Sequence, residues 1–117
     1  TFELYEDVKQ QINFYLKNLL LTSPGENISD PNYGVGLRRF LFEQNVESTR
    51  SRIASSISSQ ISVYLPYLMV SNIEAGADSQ EIDNNSMFVR ITYSIPDSVV
   101  QEVFELDLQP DATIGFY

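Results

Sequence analysis

The chain contains neither cysteine nor histidine. Without cysteine there is no disulfide framework and no thiolate metal site, and thiol usage says nothing about the redox compartment. Without histidine the commonest general base and the commonest metal ligand are both missing, so any enzymatic chemistry would fall to carboxylates, hydroxyls, amines and backbone groups. Basic residues are scarce as well. Seven Lys and Arg stand against 16 Asp and Glu, a net charge of −9, which opposes approach to nucleic acid or an anionic membrane surface and favours a basic partner. Long apolar runs are also lacking. The longest, Leu19-Leu20-Leu21, falls far short of the ~20 residues a membrane span needs, and no basic-then-apolar leader opens the chain. The expectation is a soluble protein with no nucleic-acid partner and no membrane partner. Its first residue is Thr1, which need not be a native N-terminus.

What is present is enough for one domain: 117 residues, 43% of them hydrophobic, with room for a modest core. The chain is organised around the stretch 48–65. Its apolar residues Ile53, Ile57, Ile61, Tyr64 and Leu65 recur at helical spacing, with Leu68 just beyond. Ser51, Arg52, Ser55, Ser58, Ser59 and Ser62 fill the other side. That composition has mediocre helix propensity, so packing must hold the helix. The serine face reads as solvated, with close approach by another chain as the alternative.

An earlier helix is predicted over 2–21, from Tyr5, Val8, Ile12, Tyr15, Leu16 and Leu19 on one side. Thr22-Ser23-Pro24-Gly25 ends it, since Pro cannot continue a helix and Gly accepts positive φ. Residues 26–36 are rich in turn formers and read as an ordered loop. Leu37 to Phe42 reads as a short helical turn anchored by Leu37, Phe40 and Leu41, and Asn45 or Ser48 is placed to cap the long helix. Pro66 should end that helix sharply and Leu68 should open the first strand.

Beyond the corner the period becomes two. Strands are predicted over 68–75, 86–95 and 99–108, with Leu68, Val70 and Asn72 on one face of the first and Met87, Val89, Ile91, Tyr93 and Ile95 on one face of the second. Short connections favour a three-stranded antiparallel meander. Two helices and an ordered loop on such a sheet make an α+β fold, followed by an extended tail at 109–117.

Chemistry-bearing patterns are weak. Glu26 and Asp30 are the best pair of carboxylates for glycoside hydrolysis, but both also suit loop capping. Gly34-Val35-Gly36 lacks the flanking strand, the later glycine and the lysine of a phosphate cradle. Asp78, Glu81 and Asp83 lack calcium-loop spacing. No cofactor, metal site or catalytic residue is expected.

Pro24-Gly25-Glu26, then Asp30-Pro31-Asn32-Tyr33-Gly34 with Leu37, then Leu41-Phe42-Glu43 form a series that resembles the small wedge and sheath-initiator proteins of contractile-tail baseplates. That family includes the T-even phage wedge subunit and counterparts in contractile bacteriocins and type VI secretion. The order of elements agrees over nearly the whole chain. The resemblance makes Glu26, Pro31, Tyr33, Gly34, Leu37, Phe42, Leu65, Pro66 and Tyr67 the candidate interaction and structural residues. Many members carry Glu-Pro-Arg at the end of the long helix, where this chain has Leu65-Pro66-Tyr67, so that triplet's ionic contacts cannot be carried over. Asn27 likewise stands where an Arg is frequent.

The resemblance implies a structural subunit of a virion tail baseplate, non-enzymatic and assembled in the host cytoplasm. Its helices would bind larger wedge proteins. A free edge on strand 86–95 or 99–108 would accept a strand of the sheath subunit, as an open row of backbone donors and acceptors can. Two alternatives stand beside it: a lysozyme-like, peptidoglycan-cleaving tail enzyme, and a generic α+β protein-binding module.

Overall fold

The computed structural model of the chain describes residues 2–43, 47–76, 87–96 and 98–108, with only the backbone at Phe2 and Phe42. Helix α1 spans Phe2–Leu21. It buries Ile12, Leu16, Leu19 and Leu20, whereas Tyr15, expected on the same face, is 41% exposed. The Thr22 N–H closes its last turn on the Asn18 carbonyl at 3.0 Å. Gly25 then takes φ 91°, a conformation costly for residues with a Cβ.

A 3-10 turn over Leu37–Phe42 follows, and Leu37, Phe40 and Leu41 bury beneath it as expected. Helix α2 spans Glu47–Tyr64 and buries Thr49, Ile53, Ile57 and Ile61. Since α2 starts at Glu47, Ser48 lies inside its first turn and is not the cap; Asn45 lies outside the described residues. The helix stops at Tyr64 because the ring of Pro66 disfavours helical backbone at Leu65. Leu65 N–H still reaches the Ile61 carbonyl at 2.8 Å, and Leu68 N–H reaches the Leu65 carbonyl at 3.1 Å, which turns the chain sharply into the sheet.

Three strands, β1 (Met69–Gly76), β2 (Met87–Ser94) and β3 (Glu102–Leu108), form an antiparallel sheet in the order β1-β2-β3. The fold is therefore α+β with a small antiparallel sheet. Two starts differ from the sequence reading. Leu68 is buried in the corner ahead of β1, and β3 begins three residues later than Val99, because Ser98 N–H turns back onto the Ile95 carbonyl at 3.1 Å.

The expected alternation along β1 also fails after Val70. The register passes from Val70↔Tyr93 to Asn72↔Thr92, leaving Ser71 as an extra, bulged residue. A bulge inverts facing beyond it. Ile73 and Ala75 therefore pack on the core while Asn72 is exposed.

The helices cover one face of the sheet through a common core that includes Leu16, Leu37, Ile57, Val89, Ile91 and Tyr93. Tyr93 is fully buried and its hydroxyl donates to Asn13 Oδ1 at 2.7 Å; burial pushes its phenol up to about 12. On the outer face Arg90 lies between Glu74, at 3.5 Å, and Glu105, at 3.1 Å. The position of β2 corrects one expectation. It is the central strand, paired on both sides, so 86–95 offers no free edge; the sheet's edges are β1 and β3.

Candidate protein-interaction site

The loop after α1 is fixed by its own short-range hydrogen bonds, as its Asn, Asp and Ser content permits. Glu26 N–H donates to the Ser23 carbonyl at 3.0 Å, and Ser23 N–H returns a bond to Glu26 Oε1 at 2.8 Å. The Pro31 carbonyl accepts the Gly25 N–H at 2.8 Å. Asp30 Oδ1 accepts the Asn32 N–H, and its Oδ2 accepts the Tyr64 hydroxyl at 2.7 Å. Both members of the Glu26/Asp30 pair thus serve as local acceptors.

The next residues run against the end of α1, with Val35 N–H on the Leu19 carbonyl and Gly36 N–H on the Thr22 carbonyl. Gly34 has φ 114°, and a Cβ there would overlap the Thr22 carbonyl. From the other side Gln60 of α2 clips the loop. Its Oε1 accepts the Gly34 N–H at 2.8 Å and its Nε2 donates to the Asn32 carbonyl at 3.0 Å.

Tyr33 completes the junction. Its hydroxyl donates to Asn18 Oδ1 at 2.8 Å, and its ring meets Tyr64 edge-on, centroids 5.0 Å apart. Together α1, the loop and the corner enclose an open groove of about 290 Å³ lined by Tyr15, Leu19, Tyr33, Tyr64, Leu65 and Tyr67. Burial raises the phenols of Tyr33 and Tyr67 above their ordinary value; the Asp30 carboxylate does so for Tyr64. Such a wall offers apolar area with polar tips, the composition of many protein contacts.

The nine candidates therefore divide. Tyr33, Leu65 and Tyr67 line the groove. Gly34 and Leu37 are buried, Glu26 and Pro31 staple the loop, Pro66 is exposed at the corner, and Phe42 ends the 3-10 turn. Sequence reasoning missed Gln60, one amide in a serine-rich face, and counted Tyr15 as core.

The sheet supplies a second surface. Among the described residues no strand pairs with the outer side of β3, which keeps one register with β2 along its whole length. Its outward residues Val103, Glu105 and Asp107 are exposed. The Tyr5 hydroxyl donates to Glu102 Oε2 at 2.6 Å and Lys9 lies 3.2 Å from Oε1, which fastens the start of β3 to α1. The Tyr5 hydrogen bond, helped by Lys9, holds the Glu102 carboxyl below the ordinary value. Edge β1, by contrast, carries the Ser71 bulge, a feature that discourages strand addition.

Among the described residues no acidic cluster suits a metal ion, and no helix is long and apolar enough to cross a membrane. Asp78, Glu81 and Asp83 and the tail 109–117 lie outside the described residues.

Residues 6–98 match the model of a family described as baseplate wedge protein gp25. No curated protein matches the sequence. Three solved structures share the fold. A Geobacter sulfurreducens protein called a tail lysozyme has a TM-score of 0.72 at 16% identity, over 87% of this chain and 90% of that one. A chain of the type VI secretion baseplate complex has 0.69 at 14%, over 89% and 94%. A chain of the anti-feeding prophage baseplate has 0.53 at 24%, over 86% and 70%. At these identities the likeness is one of fold.

Proposed function

The chain belongs to the baseplate wedge protein gp25 family, and from that premise we propose that it is a non-catalytic, structural subunit of a contractile-tail baseplate. It acts as a single domain in the tail of a virion or a related injection machine, and as a virion protein it assembles in the host cytoplasm. Larger wedge proteins contact the tyrosine groove, and the first sheath ring attaches at β3.

The observation that carries this reading is the unbulged edge of β3, on which no strand is paired among the described residues and which is fastened to α1 through Glu102. A strand added there gains main-chain hydrogen bonds without particular side chains. The half-buried Leu106, between Phe104 and Leu108 on the inner face, offers it apolar cover. Leu65-Pro66-Tyr67 lets the groove hold its partner by aromatic and apolar contact in place of ion pairs. Against the lysozyme-like alternative, Glu26 Oε1 accepts the Ser23 N–H, and Asp30 accepts the Asn32 N–H and the Tyr64 hydroxyl, so both carboxylates serve the loop.

The test is a photo-cross-linker placed at Val103 in assembled tails, with Met69 on β1 as the comparison. Capture of a sheath segment from Val103 and none from Met69 is expected. Sheath capture from Met69 alone would contradict the assignment of the edge.

A further inference from the structure

Charged residues on the outer face of the sheet stand in a row across all three strands. Register aligns Glu74 of β1 with Arg90 of β2, and Arg90 with Glu105 of β3. The Arg90 guanidinium lies 3.5 Å from Glu74 and 3.1 Å from Glu105. Opposite charges directly across an antiparallel pair stabilise it, and here the signs run minus, plus, minus. The row ends on an acid at the edge where, among the described residues, no further strand pairs. One guanidinium is shared by two carboxylates, and the Glu105 side chain stays 62% exposed.

The rows on either side end differently. Asn72 aligns with Thr92 and Val103, a neutral row, whereas Gly76 aligns with Phe88 and Asp107. Among the described residues no basic side chain lies within ion-pair distance of Asp107. On the opposite face Phe104, Leu106 and Leu108 turn toward the core. Along the edge the outward residues therefore read apolar, acidic, acidic, with apolar inward residues between them.

We infer that Glu105 and Asp107 select the strand that pairs with β3: it carries Lys or Arg at two positions two residues apart, facing these carboxylates, with an apolar residue between them facing Leu106. The inference rests on the reading that β3 takes a sheath strand, and it names that strand's chemistry. A basic residue opposite Glu105 continues the alternation begun at Glu74, and one opposite Asp107 supplies the missing counter-charge. An apolar residue opposite Val103 makes the pattern directional, so the two ends of the strand are not interchangeable. The same carboxylates reject a second copy of this chain. Full overlap of two antiparallel β3 edges would set Glu105 against Glu105, and like charges directly opposite destabilise a pair. The net charge of −9 acts in the same sense, drawing a basic segment in and holding another copy off.

Three variants test this through sheath attachment to assembled baseplates: Glu105→Lys with Asp107→Lys, the neutral Glu105→Gln with Asp107→Asn, and Asp107→Lys alone, which leaves the Arg90 ion pairs in place. Both residues are exposed, and melting of each purified chain checks that it folds. The double reversal should weaken attachment roughly tenfold, and the neutral pair and the single reversal roughly threefold. If the double reversal does not fold, Asp107→Lys carries the same test. A photo-cross-linker at Val103 maps the captured sheath segment, and exchanging its two facing basic residues for Glu should restore attachment to the double reversal. Folded variants that hold sheath as tightly as the wild type, or capture of a segment without basic residues two apart, would overturn the inference. A chain that captures no sheath segment from Val103 and is otherwise unmodified would instead overturn the reading of the β3 edge itself.

Discussion

The backbone N–H of Gly34 donates to Gln60 Oε1 at 2.8 Å, so one amide side chain on α2 holds a loop 26 residues away in sequence. The same side chain donates to Asn32 O. Gly34 is buried, and Gln60→Ala leaves its N–H without that partner, a loss of about 1–3 kcal/mol. Urea unfolding checks this. Gln60→Glu keeps the acceptor for Gly34 but loses the donor to the Asn32 carbonyl, so it too should be less stable than the wild type; equal stability of Gln60→Ala and the wild type would exclude the clip.

Gly34→Ala and Gly25→Ala should separate sharply. Both glycines have positive φ, but a Cβ at Gly25 meets nothing within 4 Å, whereas at Gly34 it would overlap the Thr22 carbonyl. Gly25→Ala should cost about 1 kcal/mol, the scale of a left-handed residue with a Cβ. Gly34→Ala should cost several times more or prevent folding, since the carbonyl it meets belongs to the end of α1. Thermal melts of the two proteins give the comparison directly.

Periodicity exposed the two helices, the corner at Pro66 and the buried face of β2, because one residue type per position suffices to mark a face. It failed at Ser71, where a single inserted residue inverts the facing of Ile73 and Asn72 without any compositional sign. Short connections did rank the strands as a meander, and that order, with the second strand paired on both sides, is what rules out a free edge at 86–95. The site was legible only in part. Tyr33, Leu65 and Tyr67 came from a motif resemblance, whereas Tyr15 and Gln60 act through partners distant in the chain, which spacing cannot reveal.

Leu37→Ala should destabilise the protein by about 2–5 kcal/mol, the range for truncating a fully buried leucine. Leu37 is 0% exposed and belongs to the core shared by both helices and the sheet. Denaturant midpoints of wild type and variant measure the cost, and an unchanged midpoint would remove Leu37 from the core.

Glu102 makes acid sensitivity predictable. The Tyr5 hydrogen bond, and after it Lys9, depresses its folded-state value below the ordinary 4.5. Its contribution is therefore fully present above about 4.5 and is lost as pH falls through the lower, folded-state value. Glu102→Gln should be less stable than the wild type near neutrality, and the gap should narrow in acid. A gap independent of pH, measured by denaturant unfolding at neutral and acid pH, would mean the carboxylate is not stabilised as described.

Backbone hydrogen exchange in the presence and absence of the sheath subunit reads strand addition at β3 without intermediaries, because an added strand must cover main-chain amides whatever the side chains. Exchange in Glu102–Leu108 should slow when sheath attaches, while that in Met69–Gly76 stays unchanged. Sheath attachment that leaves β3 exchange unaltered would contradict it.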